Sequence, residues 1–381
     1  MSTDPGSDDS LARDERPSIQ ISARTESPFS SVSGGARSPI PPRFIDSPEP
    51  VPRPPQLADA ADANSANAEA HRSREQRWIT AMAAVPASQS RKSKKIRRLV
   101  LEGVPSSVRS LVWSHLVDSK AKITPGVYDK FGGRAKAAVV TLIEDDARRC
   151  FPDHQHLHDS KGPLVTLLTT YLTMFPDIEY QRSLVAIAGH LLLQAPEEDS
   201  FWMFVSIMDT HIRTYFSSKA VQMDVDASIF GKVIESTQPQ LAKRLFAELG
   251  ISPIEICRPW FSSVFTTTLP PECVNRVWDV FLCEGPPFLF RIGLALLNLC
   301  RPHIESCKDK TSALVILAQP DALSLLPSDP DDLITSALSV KLKDDDVRKQ
   351  RVKLEAQMKR QTQSLASRST SSLVSKISLP R

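Results

Sequence analysis

An all-α domain of many short helices, flanked by disordered tails, is the fold class this sequence predicts, and three observations predict it. Apolar residues between about Arg72 and Leu325 recur at helical spacing with no sustained period-two alternation. Proline and glycine punctuate that stretch often enough to divide it into many segments. The chain has 381 residues, 41% apolar and 24% charged, enough to bury a substantial core in its middle part. Three zones follow: a Pro/Ser-rich tail over 1–71, the helical domain over 72–325, and a charged helix with a basic Ser-rich tail over 326–381.

The first zone, to about Asn67, is rich in Pro, Ser, Ala and Asp and has almost no large apolar residues. It cannot offset the entropy of folding and is expected to be disordered. Ser27-Pro28, Ser38-Pro39 and Ser47-Pro48 have the form of proline-directed kinase sites, and Pro39-Ile40-Pro41-Pro42-Arg43 that of an SH3 or WW ligand; a solvated tail is the plainer reading. The basic cluster Arg91-Lys92-Ser93-Lys94-Lys95-Ile96-Arg97-Arg98 has the form of a nuclear signal, an acidic-membrane contact or a nucleic-acid contact; its position just before the helical domain favours a solvated helix start, and the lack of interleaved aromatics argues against nucleic acid.

Within the second zone, Gly103-Val104-Pro105 precedes a helix, and Gly126 and Gly132-Gly133 mark a loop. Pro163 opens a helix from Leu164 to Met174, and Pro176 follows it. Pro196 ends another helix, and breaks recur at Gly250-Ile251-Ser252-Pro253, Leu269-Pro270-Pro271 and Gly285-Pro286-Pro287. Leu289 to Cys300 is apolar nearly all round, the pattern of a buried helix. In the third zone, Asp344 to Lys359 is dense in Lys, Arg, Asp and Gln and predicts an exposed single helix with i,i+4 charge pairs.

Composition and absences exclude several functions. A net charge of +3 is too small for general electrostatic binding of nucleic acid. Six scattered cysteines, Cys150, Cys257, Cys273, Cys283, Cys300 and Cys307, show no Cys-x-x-Cys pairing and read as reduced packing residues. The longest apolar run, Leu184 to Leu193, is interrupted by His190 and too short to span a bilayer, and the N-terminus has no signal-peptide core. The expected setting is cytoplasmic, with membranes reached through partners. No phosphate-binding Gly-rich loop and no nucleophile elbow is present, so the chain is not expected to bind a nucleotide or cofactor of its own. His154, His156 and His158 alternate, but on a helix only His154 and His158 share a face, which makes a poor metal site.

The most informative stretch is Ile143-Glu144-Asp145-Asp146-Ala147-Arg148-Arg149, of the form Ile-x-x-Asp-x-x-Arg, followed by Phe151-Pro152-Asp153-His154. On a helix, Ile143 and Cys150 share a face, and Asp146 lies one turn before Arg149. Phe151-Pro152 ends the helix just beyond, so Arg149 is held near a terminus with a carboxylate at hand. Taken alone, such an arginine is an ordinary surface ion pair.

Upstream stands Gly103-Val104-Pro105-Ser106-Ser107-Val108-Arg109-Ser110-Leu111-Val112-Trp113, and downstream Ala195-Pro196-Glu197-Glu198-Asp199-Ser200-Phe201-Trp202, Pro259-Trp260-Phe261 and Arg276-Val277-Trp278-Asp279. As an ordered set, covering roughly Leu99 to Ile304, these blocks resemble the TBC domain of Rab GTPase-activating proteins. The resemblance implies an all-α domain that engages a Rab-family small GTPase in its GTP form in vesicle traffic, with Mg and GTP belonging to that partner. It assigns Arg149 as the arginine finger that enters the Rab site and Asp146 as its orienting partner. Its histidine corresponding to His154 belongs to a structural Phe-Pro-x-His element. Trp202, Trp260, Phe261 and Trp278 read as core contacts, Arg109 and Trp113 as packing and ion-pair residues, and Asp279 as a group that caps or pairs inside the fold.

The family's second motif, Tyr-x-Gln-Gly, reads here Tyr180-Gln181-Arg182-Ser183. In the family the glutamine positions the attacking water; Arg182 has five donors and no acceptor and is no equivalent. Three outcomes stay open: Gln181 substitutes through a local shift, the Rab uses its own glutamine while Arg149 supplies charge, or the domain binds a Rab as a scaffold without useful catalysis.

Overall fold

In the computed structural model the backbone of residues 57–132, 137–217 and 221–374 is described, with the side chains of all but 57–67, 137, 359 and 361–374. The N-terminal kinase-site and SH3 or WW motifs lie outside these residues. Helices α1 (Leu57–Ala84), α2 (Lys94–Glu102), α3 (Arg109–Leu116) and α4 (Val127–Phe131) open the body. Then come α5 (Ala137–Cys150), α6 (Pro163–Met174), α7 (Arg182–Leu192) and α8 (Glu197–Ile207). The second half holds α9 (Gln222–Thr237), α10 (Pro239–Ala242), α11 (Pro253–Ser262), α12 (Pro271–Glu284) and α13 (Pro287–Ser306). Helices α14 (Lys310–Ala318), α15 (Pro330–Ser339) and α16 (Asp344–Val374) close the described chain. Among the described residues the only extended pairing is an isolated antiparallel bridge between Ile178 and Ser217. No described helix is long and apolar enough to cross a membrane.

Local chemistry sets the helix starts. Pro163 occupies the first turn of α6, where its missing N–H costs nothing. The Ser93 side chain accepts from Ile96 N at the start of α2, inside the basic cluster. In that helix Ile96, Leu99 and Val100 are buried, while Arg97 and Arg98 pair with Glu284 and Glu102. A capping box between Ser252 and Glu255 opens α11.

Helix α7 forms the centre of the first half, packed by α5, α6 and α8, and every residue from Leu184 to Leu191 is buried. Helix α13 plays that part in the second half: between Leu289 and Cys300 only Arg291, Asn298 and Leu299 escape full burial, as the all-round apolar pattern predicts. The two halves are joined at Asp279 on α12, which is fully buried. It accepts from Trp113 Nε1 at 2.8 Å, from Arg109 Nε at 3.4 Å and from Arg276 Nη1 at 3.4 Å. Arg276 also donates to the carbonyls of Val100 and Leu101, tying α12 to α2. His190 is enclosed by Trp113 and Trp278, with ring centroids at 5.7 and 4.9 Å, and burial pushes its pKa down to about 3, so it stays neutral. The Asp279 and Arg109–Trp113 pairings expected from the sequence are present.

Two expectations differ. Helix α1 begins at Leu57, inside the span read as disordered, because Ala58 to Ala70 is alanine-rich and has high helix propensity without needing large apolar residues. The charged helix over Asp344–Lys359 exists and most of its residues are exposed, but one face of its first turns is packed. Val347, Arg351, Leu354 and Met358, spaced four, three and four apart, make one stripe that faces α9 and α13. Arg351 donates to both oxygens of the fully buried Asp226, at 2.7 and 2.5 Å, and lies over the Phe290 ring at 5.7 Å.

Candidate functional site

Helix α5 turns Ile143 and Ala147 fully inward and leaves Arg149, in its last turn, 64% exposed at the side chain. Asp146, on the boundary between these faces, is only 13% exposed. Arg149 Nη1 donates to Asp146 Oδ1 at 3.4 Å, so the carboxylate restrains the guanidinium on one side only.

What fixes the end of α5 is the segment that follows. Phe151 N still donates to Ala147 O at 2.8 Å, and the Phe151 ring lies in a notch of α7 that exists because residue 189 is glycine; a Cβ there would clash with the ring. His158 Nε2 donates to the Phe151 carbonyl at 2.6 Å, closing the loop from below. The Phe-Pro-x-His element is therefore structural: His154 N donates to the Phe151 carbonyl at 3.0 Å and its ring stands edge-on to the Phe151 ring at 6.3 Å, but the side-chain hydrogen bond to Phe151 comes from His158. His154 also faces His156 edge-on at 6.0 Å. Among the described residues no group of three metal-ligating side chains comes together.

Tyr180 reaches the same carboxylate from a different element. Its hydroxyl donates to Asp146 Oδ2 at 2.8 Å and stands 3.2 Å from the Leu142 carbonyl. Burial, and then the Asp146 carboxylate, push its pKa well up, so it is a permanent donor. The segment that carries it is braced: Glu179 N donates to Phe216 O at 3.1 Å, and Arg213 donates to both oxygens of Asp177 while stacking over Phe175 at 4.5 Å.

Arg182, the first residue of α7, places Nε 4.0 Å from Asp146 Oδ1 and remains 53% exposed at the side chain. Its contact with the Cys150 side chain is the main influence raising its pKa. Gln181, between Tyr180 and Arg182, is half-buried with extended backbone and makes no side-chain cap on α7. The structure thus brings Arg149, Asp146, Tyr180 and Arg182 together around one carboxylate, and leaves Gln181 adjacent without a hydrogen bond to it. Chemically, the arrangement presents two guanidiniums outward over a single buried-edge anion.

Sequence reasoning weighed His158 only as a metal ligand and missed Gly189, the Asp177–Arg213 brace and the exposed Leu142, which is 51% accessible one turn before Asp146. Gly189 had a usable signal: a glycine in a helix interior costs about 1 kcal/mol relative to alanine, so its place in an apolar run asks for a packing reason. The brace had none, since its partners lie 36 residues apart.

Residues 106–305, over half the chain, match the family described as the Rab-GTPase-TBC domain. The chain is similar to mouse TBC1 domain family member 10A, 31% identical over 234 residues that are 60% of this chain and 47% of that protein. It is 29% identical over 264 residues to mouse Carabin, covering 67% of this chain and 58% of that protein. With the Drosophila TBC1 domain family member whacked it shares 29% identity over 258 residues, 65% of this chain and 71% of that protein. The chain spans under half the length of the 10A and 10B relatives it matches. Among solved structures, the Chlamydomonas flagellar RabGAP TBC domain superposes with a TM-score of 0.60 at 23% identity, over 76% of this chain and 98% of that one. The Ypt/Rab-GAP domain of Gyp1p gives 0.54 at 14% identity, over 64% and 90%. At those identities the superpositions speak for the fold.

Proposed function

The chain belongs to the Rab-GTPase-TBC domain family, and from that premise we propose that it stimulates GTP hydrolysis by a Rab-family small GTPase, with Arg149 supplied in trans as the arginine finger. The observation that carries this reading is the state of Arg149: the helix end just beyond it is braced through Phe151 by Gly189 and His158, yet its side chain is mostly exposed and paired at one edge with Asp146. A finger needs that combination, because a pre-positioned charge loses little freedom on entering the nucleotide site.

In the Rab site the guanidinium neutralises charge developing on the transferred γ-phosphoryl group, and Mg and the nucleotide are the partner's. Asp146 orients Arg149, and Tyr180 keeps Asp146 in place by donating to its second oxygen. A Rab belongs to vesicle traffic, so the setting is a membrane surface reached through that partner.

A second reading, a Rab-binding scaffold without useful catalysis, is favoured by one observation: arginine stands at position 182, where the family places the water-positioning glutamine. Single-turnover phosphate release from a panel of GTP-loaded Rabs, with the full chain and its Arg149→Ala variant, separates the two. Acceleration that disappears in Arg149→Ala supports the activator. Binding of GTP-loaded Rab without acceleration by the wild-type chain supports the scaffold.

A further inference from the structure

We propose that Arg182 is a second phosphate contact, so that this domain brings two cations to the nucleotide and leaves orientation of the attacking water to the GTPase's own glutamine. The proposal rests on the reading of Arg149 as the residue that enters the nucleotide site.

The charge arithmetic is the first support. Arg149 and Arg182 both approach Asp146 Oδ1, at 3.4 and 4.0 Å, while Oδ2 accepts from the neutral Tyr180 hydroxyl. At Asp146 itself one carboxylate faces two guanidiniums, both more than half exposed, while the neighbouring Arg148 is matched by Glu144 and Asp145. Arg182 also sits in the first turn of α7, where the helix dipole disfavours a cation. A cation kept at that position against the dipole suits an anion that arrives from outside.

The second support is how differently arginines behave where they are structural. Around Asp279, Arg109 also donates to Val104 O, and Arg276 donates to Val100 O, Leu101 O and Asp331, so their donors end inside the protein. Around Asp146, the contacts of Arg149 and Arg182 use only part of the five N–H groups each guanidinium carries, and both side chains are more than half exposed. Planar guanidiniums with free donors match phosphate oxygens in a bidentate manner. Arg182 has no acceptor with which to take the glutamine's place at a water, and Gln181 makes no hydrogen bond to the Asp146 cluster, so the proposal gives that task to the partner.

The test uses the Rab most responsive to the full chain, loaded with GDP alone or with GDP and beryllium fluoride as a γ-phosphate mimic, plus a form of that Rab whose own catalytic glutamine is leucine. Arg182→Ala is expected to weaken binding to the beryllium fluoride form about ten- to a hundredfold, the range for a lost charge-assisted hydrogen bond, while GDP-form binding stays within about twofold. Arg182→Lys should recover part of the loss. The glutamine-to-leucine Rab should hydrolyse GTP no faster with the wild-type chain than without it. Equal weakening toward both nucleotide forms, no weakening, or stimulated hydrolysis by the glutamine-to-leucine Rab would overturn the proposal. If Arg149→Ala weakens the beryllium fluoride complex and Arg182→Ala does not, the proposal alone fails. If Arg149→Ala also changes nothing, or no Rab binds, the Arg149 reading fails and takes the proposal with it. Thermal melts of each variant confirm folding, which an exposed side chain such as Arg182 should not alter.

Discussion

Asp146 and Asp279 have nearly the same partners and opposite roles. Each carboxylate accepts from an aromatic donor, Tyr180 or Trp113, and each is approached by two arginines, Arg149 and Arg182 or Arg109 and Arg276. Around Asp279 the arginine side chains are 12% and 9% exposed; around Asp146 they are 64% and 53%. The same chemistry therefore fastens two halves of a fold when buried and leaves charge exposed when placed at a helix end. Burial, not residue type, separates the two.

Swapping the perturbation between the clusters gives the largest expected effect. Arg149→Ala should lower Rab-stimulated hydrolysis about a thousandfold or more, with the melting temperature unchanged. Asp279→Ala should do the reverse, destabilising the fold by about 3–5 kcal/mol in urea titrations, because the largely buried Arg109 loses its counter-charge and Arg276 keeps only Asp331. A stability loss in Arg149→Ala comparable to that of Asp279→Ala would break the comparison.

The pH response sharpens it. Burial raises the Asp279 pKa to about 6, with Arg109 and Arg276 opposing the shift. A group whose folded pKa lies above its unfolded value contributes stability that is full below about pH 4 and is lost as pH rises through about 6, here about 3 kcal/mol from a shift of two units. Urea denaturation between pH 4 and 8 should show the wild type losing stability relative to Asp279→Asn across that window, with a constant difference above it.

Smaller effects test the bracing of the exposed cluster. Gly189→Ala should cost about 1–3 kcal/mol by displacing the Phe151 ring, and should reduce stimulated hydrolysis beyond what the unfolded fraction explains, since Phe151 sets the end of α5. Calorimetry and single-turnover assays on one preparation separate these. Tyr180→Phe removes one bond to Asp146 and should destabilise by about 1 kcal/mol or less, with a modest loss in hydrolysis rate at saturating chain concentration.

Much of the scaffold was legible in the residues. Pro163 marked the start of α6, Leu289 to Cys300 declared α13 buried, and Phe151-Pro152 ended α5 just past Arg149. Each is a local signal: a missing N–H, a hydrophobic circumference, a restricted residue before proline. At the site, only the Asp146–Arg149 neighbourhood was local, three residues apart on one helix. Tyr180 meets Asp146 from 34 residues away, and Arg351 meets Asp226 from 125, separations at which spacing carries no information. For the same reason the stripe Val347-Arg351-Leu354-Met358 passed for the surface of an exposed helix: its second member is charged, and its packing became visible only with Asp226 beneath it.

By itself, then, the sequence determined the helical class, several helix ends such as those at Pro163 and Phe151-Pro152, the ordered motifs of the family and the i,i+3 pairing that roots Arg149, because all of these follow from backbone chemistry and periodicity along the chain. Only the tertiary structure decided which carboxylate is buried and which is half-open, that Phe151 fits the notch of Gly189, and that Arg182 joins Arg149 at Asp146. Those outcomes depend on which surfaces lose water when distant helices pack, and desolvation is a property of the assembled fold, not of any segment of the chain.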